Sequence, residues 1–554
     1  MLKKLLLVVA MILPIVITTS LVAQTSDPKT AVAASSQASG YDKLNTIEFI
    51  GSGSEGTGTG QMQSAKAGWV QNQVKEYSRF IDFAAGTSQR NAITSRPLDA
   101  TGQLPGGGGL GAASARPDTP NTASIAAAAN FTQKLDITLS PPGFLKLAAT
   151  APNATTASQT VGTTRYTVVS FPSTQMAPSG VPYKISGYIN DQTKMVDRVT
   201  TAIEDTTPFL IGDVVVDQTF NGYKDFQGVK FPTQIVQTRG GVLWTRLNIT
   251  DVKANGMAPA PLGAAGGGGG GRGGGAPGGG AGAGAGAGGG RGGPGGAPGG
   301  GAGAGAGAGG GRGGPGGGGG GGGAAAAAAS RKLGDGIYLI TGSYRSVVVE
   351  FTDHIVLIEA NQNAMTTAPA IAEAKRLVPN KPIRYVINTH NHFDHAGGLR
   401  TAALEGATIV THELNKPLYE TWFNNPRTLQ AGGPDDLEKS GKKARFEYVG
   451  EKRVMQDAMN SIELYHLNGV VHGEDMLIVY LPKIKMVYES DAFNAGAPDA
   501  PARTAAEVDG FEKQFANEMD RVKIDYAFLI PAHQPNPDRE VTKQEFMKRV
   551  GRAN

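Results

Sequence analysis

The chain of 554 residues contains no cysteine. That absence removes disulfides, thiol nucleophiles, thiolate metal ligands and a lipid carried on cysteine. Histidine is scarce, with eight in the whole chain, and tryptophan scarcer, with three. Any local concentration of histidine therefore carries information. Charge of one sign is also lacking. Fifty-one basic side chains stand against 47 acidic ones, a formal net charge of +4, so nucleic acid is not implied as a partner. Without disulfides, the fold must rest on core burial and metal binding.

Glycine, by contrast, is abundant, and much of it lies in one Gly/Ala tract at 256–330. Gly278 to Gly296 recurs residue for residue as Gly299 to Gly317. Such composition cannot bury a core and predicts a disordered, flexible linker. Some 70 residues of this kind span about 45–50 Å as a random coil, so the flanking domains need not touch. Arg272, Arg291 and Arg312 punctuate the tract only sparsely. The other notable apolar run is at the N-terminus, where Lys3-Lys4 precedes Leu5 to Thr18 and small residues follow at Val22-Ala23. Residues 1–23 read as a secretory signal, which predicts a periplasmic or secreted bacterial protein. The membrane is a partner only if this segment stays uncleaved.

Residues 41–255 predict a mainly antiparallel β domain with a helix. Lys66 to Phe83 reads as an amphipathic helix with Trp69, Val70, Val74, Tyr77, Phe80 and Ile81 on one face. A Gly/Pro-rich loop covers Leu104 to Pro120. β runs follow at 166–171, 183–189, 195–203, 213–220, 229–238 and 242–252, with turns such as Asn190-Asp191 and Gly240-Gly241 between them. The rhythm around Tyr223-Lys224-Asp225-Phe226-Gln227-Gly228-Val229-Lys230-Phe231-Pro232 resembles the curved half-barrel of periplasmic lipoprotein carriers. That resemblance implies an apolar-ligand cradle; the alternative is a plain structural β domain. The region holds no catalytic constellation.

Residues 331–554 carry the chemistry. In Thr389-His390-Asn391-His392-Phe393-Asp394-His395-Ala396-Gly397-Gly398, three histidines and a carboxylate fall within six positions, directly after the apolar run Ile383 to Asn388. A strand followed by this loop, with Gly-Gly opening a helix, presents the ligands that borderline metals prefer. Alternate residues of an H-x-H-x-D-H loop can face one ion while the Asp and the last His face another. One loop cannot close two coordination spheres, so further ligands are expected downstream. His472 lies in a Gly-containing loop before the strand Met476 to Leu481, Asp491 follows the run Lys485 to Tyr488, and His533 follows Tyr526 to Ile530. All sit at or beside strand ends, where α/β architectures gather function. His466 and His412 read as packed or supporting groups, and His354, between two β runs, as an ordinary surface residue.

In order and type these motifs resemble the metallo-β-lactamase superfamily, across residues 331–554. The resemblance implies an α+β domain built as an αββα sandwich. Strands are expected at 336–341, 346–351 and 354–359, and helices at 368–377, 505–522 and 542–550. It further implies that His390, His392 and His472 hold one metal, that Asp394, His395 and His533 hold a second, and that Asp491 bridges them. Two zinc ions are expected, with iron or manganese as alternatives. Departures from the family pattern occur at Val471-His472-Gly473-Glu474-Asp475, at Ser490-Asp491, and at Glu359, which stands where an Asp is usual.

Such a pair of ions implies a hydrolase in which a hydroxide held between them attacks an ester, lactone, amide or phosphodiester of a small-molecule substrate, with Asp394 orienting it or relaying its proton. The long Pro/Gly-containing stretch 424–434 suggests a lid, with Trp422, Phe423 and Arg427 as candidates for the entrance. A true β-lactamase, an iron-dependent oxygenase of the same fold and a non-enzymatic binding protein with a structural metal are the competing readings. The sequence leaves the oligomeric state open.

Overall fold

The protein is described by a computed structural model, which places residues 27–56, 62, 64–66, 68–96, 116–205, 211–262, 328–342, 344–470, 472–504, 508 and 510–552. The expected signal segment, most of the Gly/Ala tract and most of the 104–120 loop lie outside these residues.

The N-terminal region is one antiparallel sheet of eleven strands. They are β1 (Thr46–Gly56), β2 (Gln71–Asp82), β3 (Thr87–Arg96), β4 (Arg116–Ile125), β5 (Thr155–Val161), β6 (Thr164–Met176), β7 (Pro182–Asn190), β8 (Val196–Ile203), β9 (Val214–Phe226), β10 (Val229–Arg239) and β11 (Val242–Ala254). The order is β4-β3-β2-β1-β11-β10-β9-β8-β7-β6-β5, so β1 closes back on β11 and a single sheet results. Burial alternates along β7 and the first half of β9, as expected for a sheet with one covered face. Pro117 and Pro120 fall in β4, at the sheet edge, where a missing N–H is tolerated. The helix Pro141–Thr150 covers β7 closely: a Cβ on Gly187 would meet the Phe144 ring at 2.1 Å.

The predicted helix at Lys66 to Phe83 is corrected to strand. The apparent helical spacing has a local cause, because the pairing of β2 with β3 slips between Val74 and Glu76. The bulge converts the period of two into a step of three, so Val74 and Tyr77 are both buried although three residues apart. The helices among the described residues of this region are instead Pro28–Ser39, capped by the Asp27 side chain, the single turn Leu135–Thr138, and Pro141–Thr150, capped by Ser140.

The C-terminal region stacks two sheets. The first contains β12 (Ala329–Gly334), β13 (Ile337–Thr341), β14 (Ser346–Glu350), β15 (Ile355–Ile358), β16 (Ile383–Ile387), β17 (Thr408–His412) and β18 (Arg445–Val449) in sequential order. The second contains β19 (Lys452–Gln456), β20 (Ser461–His466), β21 (Leu477–Leu481), β22 (Met486–Glu489), β23 (Phe528–Pro531) and β24 (Val541–Thr542). Between them lies a hydrophobic core that includes Leu339, Val347, Val356, Leu464, Val479 and Tyr488. Strands β15, β21 and β22 are buried at every position, as strands covered on both faces must be. The helix Ala364–Leu377 covers the outer face of one sheet through Ala370, Ile371 and Ala374. The helices Gly510–Val522 and Lys543–Arg549 cover the other through Phe515, Met519 and Phe546. This is the expected αββα sandwich. His354 departs from expectation: it is buried and stacked on Phe351 at 4.8 Å.

In the structure the two regions form one compact unit. Asp213, just before β9, accepts hydrogen bonds from the Thr428 N–H at 2.8 Å, the Thr428 hydroxyl at 2.6 Å and the Leu429 N–H at 3.1 Å. The Asp213 N–H donates to the Pro426 carbonyl at 2.7 Å, and the Asn425 amide donates to the Ile211 carbonyl at 2.8 Å.

Candidate metal centre

Parallel pairing brings the site together. β16 runs parallel to β15 and β17, and β22 runs parallel to β23, so the loops after β16, β22 and β23 emerge at strand C-terminal ends. After β16, the buried Asn388 amide donates to the carbonyls of His390 at 2.7 Å and His395 at 3.3 Å, which folds the H-x-H-x-D-H loop back on itself. Asp475, in the loop carrying His472, accepts the Asn391 N–H at 2.7 Å and ties the two ligand loops to each other.

All seven residues anticipated from the sequence converge. His390, His392, His472 and Asp491 form one donor group, and Asp394, His395, Asp491 and His533 a second, with the ligand atoms in each within 4.8 Å of one another. Asp491 belongs to both. Its Oδ2 lies 2.9 Å from His472 Nε2 and 3.7 Å from His390 Nε2, while its Oδ1 lies 3.1 Å from His395 Nε2 and 2.7 Å from His533 Nε2. Asp394 Oδ2 stands 3.6 Å from the Nε2 atoms of both His395 and His533.

The surroundings orient these ligands. His390 Nδ1 is 3.1 Å from the Thr389 hydroxyl and 3.3 Å from that of Ser490, leaving Nε2 to face Asp491. His395 Nδ1 lies 3.5 Å from the fully buried Glu359 carboxylate. Glu359 also accepts from the Thr389 N–H at 3.2 Å and the Thr389 hydroxyl at 2.7 Å. It holds a positive φ of 72°, a strained conformation for a side chain of this kind and one that clusters at functional sites. Outer carboxylates that fix an imidazole in this way tune metal ligands.

The electrostatics follow from burial and crowding. Burial, aided by the neighbouring imidazoles, pushes His390 and His392 well below the ordinary histidine range, so both are neutral donors. Burial opposes the charged form of His395, but Asp491 and Asp394 outweigh it and raise that group well above the usual value. Burial would likewise raise Asp491; His395 and His472 overcome it and hold the carboxyl well below its normal range. Burial sets Asp475 at about 6.

Buried ligand atoms without hydrogen-bond partners are the test of fit. His390 Nε2 and Asp394 Oδ1 are buried and without hydrogen-bond partners among the described residues, a state that buried polar atoms seldom adopt. Four imidazole or carboxylate groups around each of two points fit a pair of divalent cations.

Tyr344 was not anticipated. Its hydroxyl donates to Asp394 Oδ2 at 3.3 Å, and its ring lies 4.7 Å from that of His533. Backbone pairing of Tyr344 with His533 places it there. Burial, then the charges of Asp394 and Asp491, push its phenol well above the usual value. A lone Tyr after a strand carries no sequence signal for this role. From the N-terminal region, the buried backbone of Met62 faces His392, also without a sequence signal.

The entrance candidates are corrected. Trp422 is 4 % exposed and Arg427 1 % exposed. Trp422 packs in the core beside Tyr419, and Arg427 approaches Asp435 at 3.6 Å. Phe423 is half-buried against Phe446 at 5.0 Å. The 424–434 stretch is docked on the N-terminal sheet through Asp213. His466 and His412 are supporting groups, stacked on each other at 3.8 Å, and His466 Nε2 lies 2.7 Å from the Glu474 carbonyl oxygen.

Residues 341–533 match the family model of the metallo-beta-lactamase superfamily, and this part of the chain is a domain of that superfamily. Similar solved structures include a metallo-beta-lactamase from Pontibacter korlensis, with 17 % identity over 41 % of this chain and 98 % of that one, at a TM-score of 0.30. Another is a metallo-beta-lactamase from Hirschia baltica, with 19 % identity over 40 % of this chain and 95 % of that one, at a TM-score of 0.29. A third, from Erythrobacter litoralis, shares 15 % identity over 41 % and 95 % of the respective chains, at a TM-score of 0.29.

Proposed function

We propose that the protein is an exported hydrolase that uses two divalent cations, zinc in the first instance, to cleave an ester, lactone, amide or phosphodiester in a small-molecule substrate. The observation that carries this reading is Asp491, which offers one oxygen to each donor group. When bound, such cations supply Lewis acidity and lower the pKa of water to near neutrality. The chain's own residues do the rest. His390 and His392, kept neutral by burial, are ready to donate lone pairs at neutral pH. Asp394 turns Oδ2 to the Tyr344 hydroxyl, while Oδ1, without a hydrogen-bond partner, is free to accept a proton from an attacking water. Tyr344 keeps its proton and so remains a donor beside the site. Buried walls around His390, His392 and His395 keep bulk water from competing for these atoms.

The test combines metal analysis of the full chain by mass spectrometry with a panel of ester, lactone, β-lactam and phosphodiester substrates. Two zinc ions per chain, and turnover of one class that disappears in Asp491→Asn, are expected. A single iron with oxygen consumption, or a metal-free protein, would refute the proposal. Export is read separately, from the N-terminal residue of protein recovered outside the cytoplasm.

A further inference from the structure

The covered face of the N-terminal sheet holds an arrangement unusual for an interior. Arg79 and Arg90 lie directly opposite each other on β2 and β3, both buried. Like charges in that register destabilise a sheet unless they are neutralised. Two carboxylates do so: Asp136 pairs with Arg79 at 2.5 Å and Glu55 with Arg90. A third arginine, Arg239 at the end of β10, points into the same pocket and has no carboxylate of its own. Its Nε donates to Gln237 at 3.3 Å, and its guanidinium carbon lies over the Trp244 ring, 3.9 Å from the centroid. Three arginines against two carboxylates leave one positive charge in excess. Burial already holds Arg239 down to about 10, despite the opposing pull of Asp136, so its charged form lacks compensation.

These groups line a cavity of about 280 Å³. Phe49, Ile235 and Leu247 give it an apolar wall, and the Gln237 amide, bonded to Gln218 at 2.8 Å, gives a fixed polar floor. Guanidinium stacked on an indole keeps its two terminal nitrogens aligned in a plane, the geometry that matches a carboxylate. We propose that this pocket binds a small organic carboxylate, a monoanion with an apolar body, through the guanidinium of Arg239 over Trp244. One excess charge fits a monoanion, whereas a phosphate dianion would overshoot it. The volume suits a ligand of a few heavy atoms beyond the carboxylate. The inference is independent of the hydrolase reading.

Calorimetric titration of the full chain with benzoate tests it, with Trp244 fluorescence as a second readout. Saturable binding with quenching is expected, weakened at least tenfold in Arg239→Gln and also in Arg239→Lys, which keeps the charge but loses the planar fork. If the Gln variant fails to fold, the Lys variant carries the comparison. Absence of saturable binding at millimolar benzoate overturns the site, and unchanged affinity in the folded variants overturns its placement. Inorganic phosphate binding as tightly as benzoate overturns the ligand class.

Discussion

Replacing Asp213 with alanine should loosen the 424–430 stretch from the N-terminal sheet while leaving the metal centre assembled. The side chain accepts three hydrogen bonds, two from Thr428 and one from Leu429. Thr428 is exposed, so its two donors regain water at little cost, whereas the Leu429 N–H belongs to a buried residue. Stranding one buried donor costs about 1–3 kcal/mol, and losing the charge-assisted bonds of Thr428 adds about 1 kcal/mol, giving about 2–4 kcal/mol in all. Because 1.4 kcal/mol is tenfold, that predicts amide exchange in 424–430 faster by about 30- to 700-fold. Hydrogen exchange read by mass spectrometry on peptides from this stretch measures it directly. Asp213→Asn, which keeps one acceptor oxygen but turns an N–H toward the donors, should fall between wild type and alanine. Exchange changed by less than threefold in the alanine variant would refute the claim that Asp213 holds the two regions together here.

Three further outcomes follow from the centre and its surroundings. Glu359→Gln removes the carboxylate behind His395 and should weaken metal binding about 10- to 100-fold with little change in melting of the metal-free protein; competition against a chelator of known affinity measures it. His533→Ala deletes one donor of a single group, so metal content should fall from two ions per chain toward one, as counted by mass spectrometry, whereas Asp491→Asn should reduce both. The His412 imidazole, buried and stacked on His466, sits at about 4 against an ordinary 6.5. As pH falls below the unfolded value the unfolded chain takes up the proton first, so this group's stabilisation is complete above about 6.5 and is lost between there and 4. His412→Asn should therefore shrink the stability difference between pH 7.5 and 5 by about 2 kcal/mol relative to wild type, in denaturant titrations at the two pH values; an unchanged difference would contradict the assignment.

The seven residues that converge at the candidate metal centre were legible because each is announced locally. Three histidines in six positions stand out against eight in the chain, and His472, Asp491 and His533 each adjoin an apolar run that forms a buried strand. The meander from β6 to β11 was legible for the same reason, since a half-covered antiparallel strand writes its alternation into the sequence. β2 was not, because one bulge gave a strand the burial spacing of a helix. Arg427 misled in the opposite sense: a charged residue in a Pro/Gly-rich stretch reads as surface, yet it is buried and approaches Asp435 at 3.6 Å.

By itself, then, the sequence singled out the seven residues that converge, the strand runs from β6 to β11 and the presence of a Gly/Ala tract, all features carried by short windows of residues. Tertiary structure decided what depends on residues distant along the chain. Pairing between β22 and β23 brings Asp491 and His533 to one end of a sheet; pairing of Tyr344 with His533 sets a phenol beside Asp394. Asp213, more than two hundred residues before its partners, joins the two regions, and three arginines from separate strands come to share one pocket. Non-local contacts leave no periodicity for a reader of the sequence to find, because the physical forces that select them act only once the strands are paired.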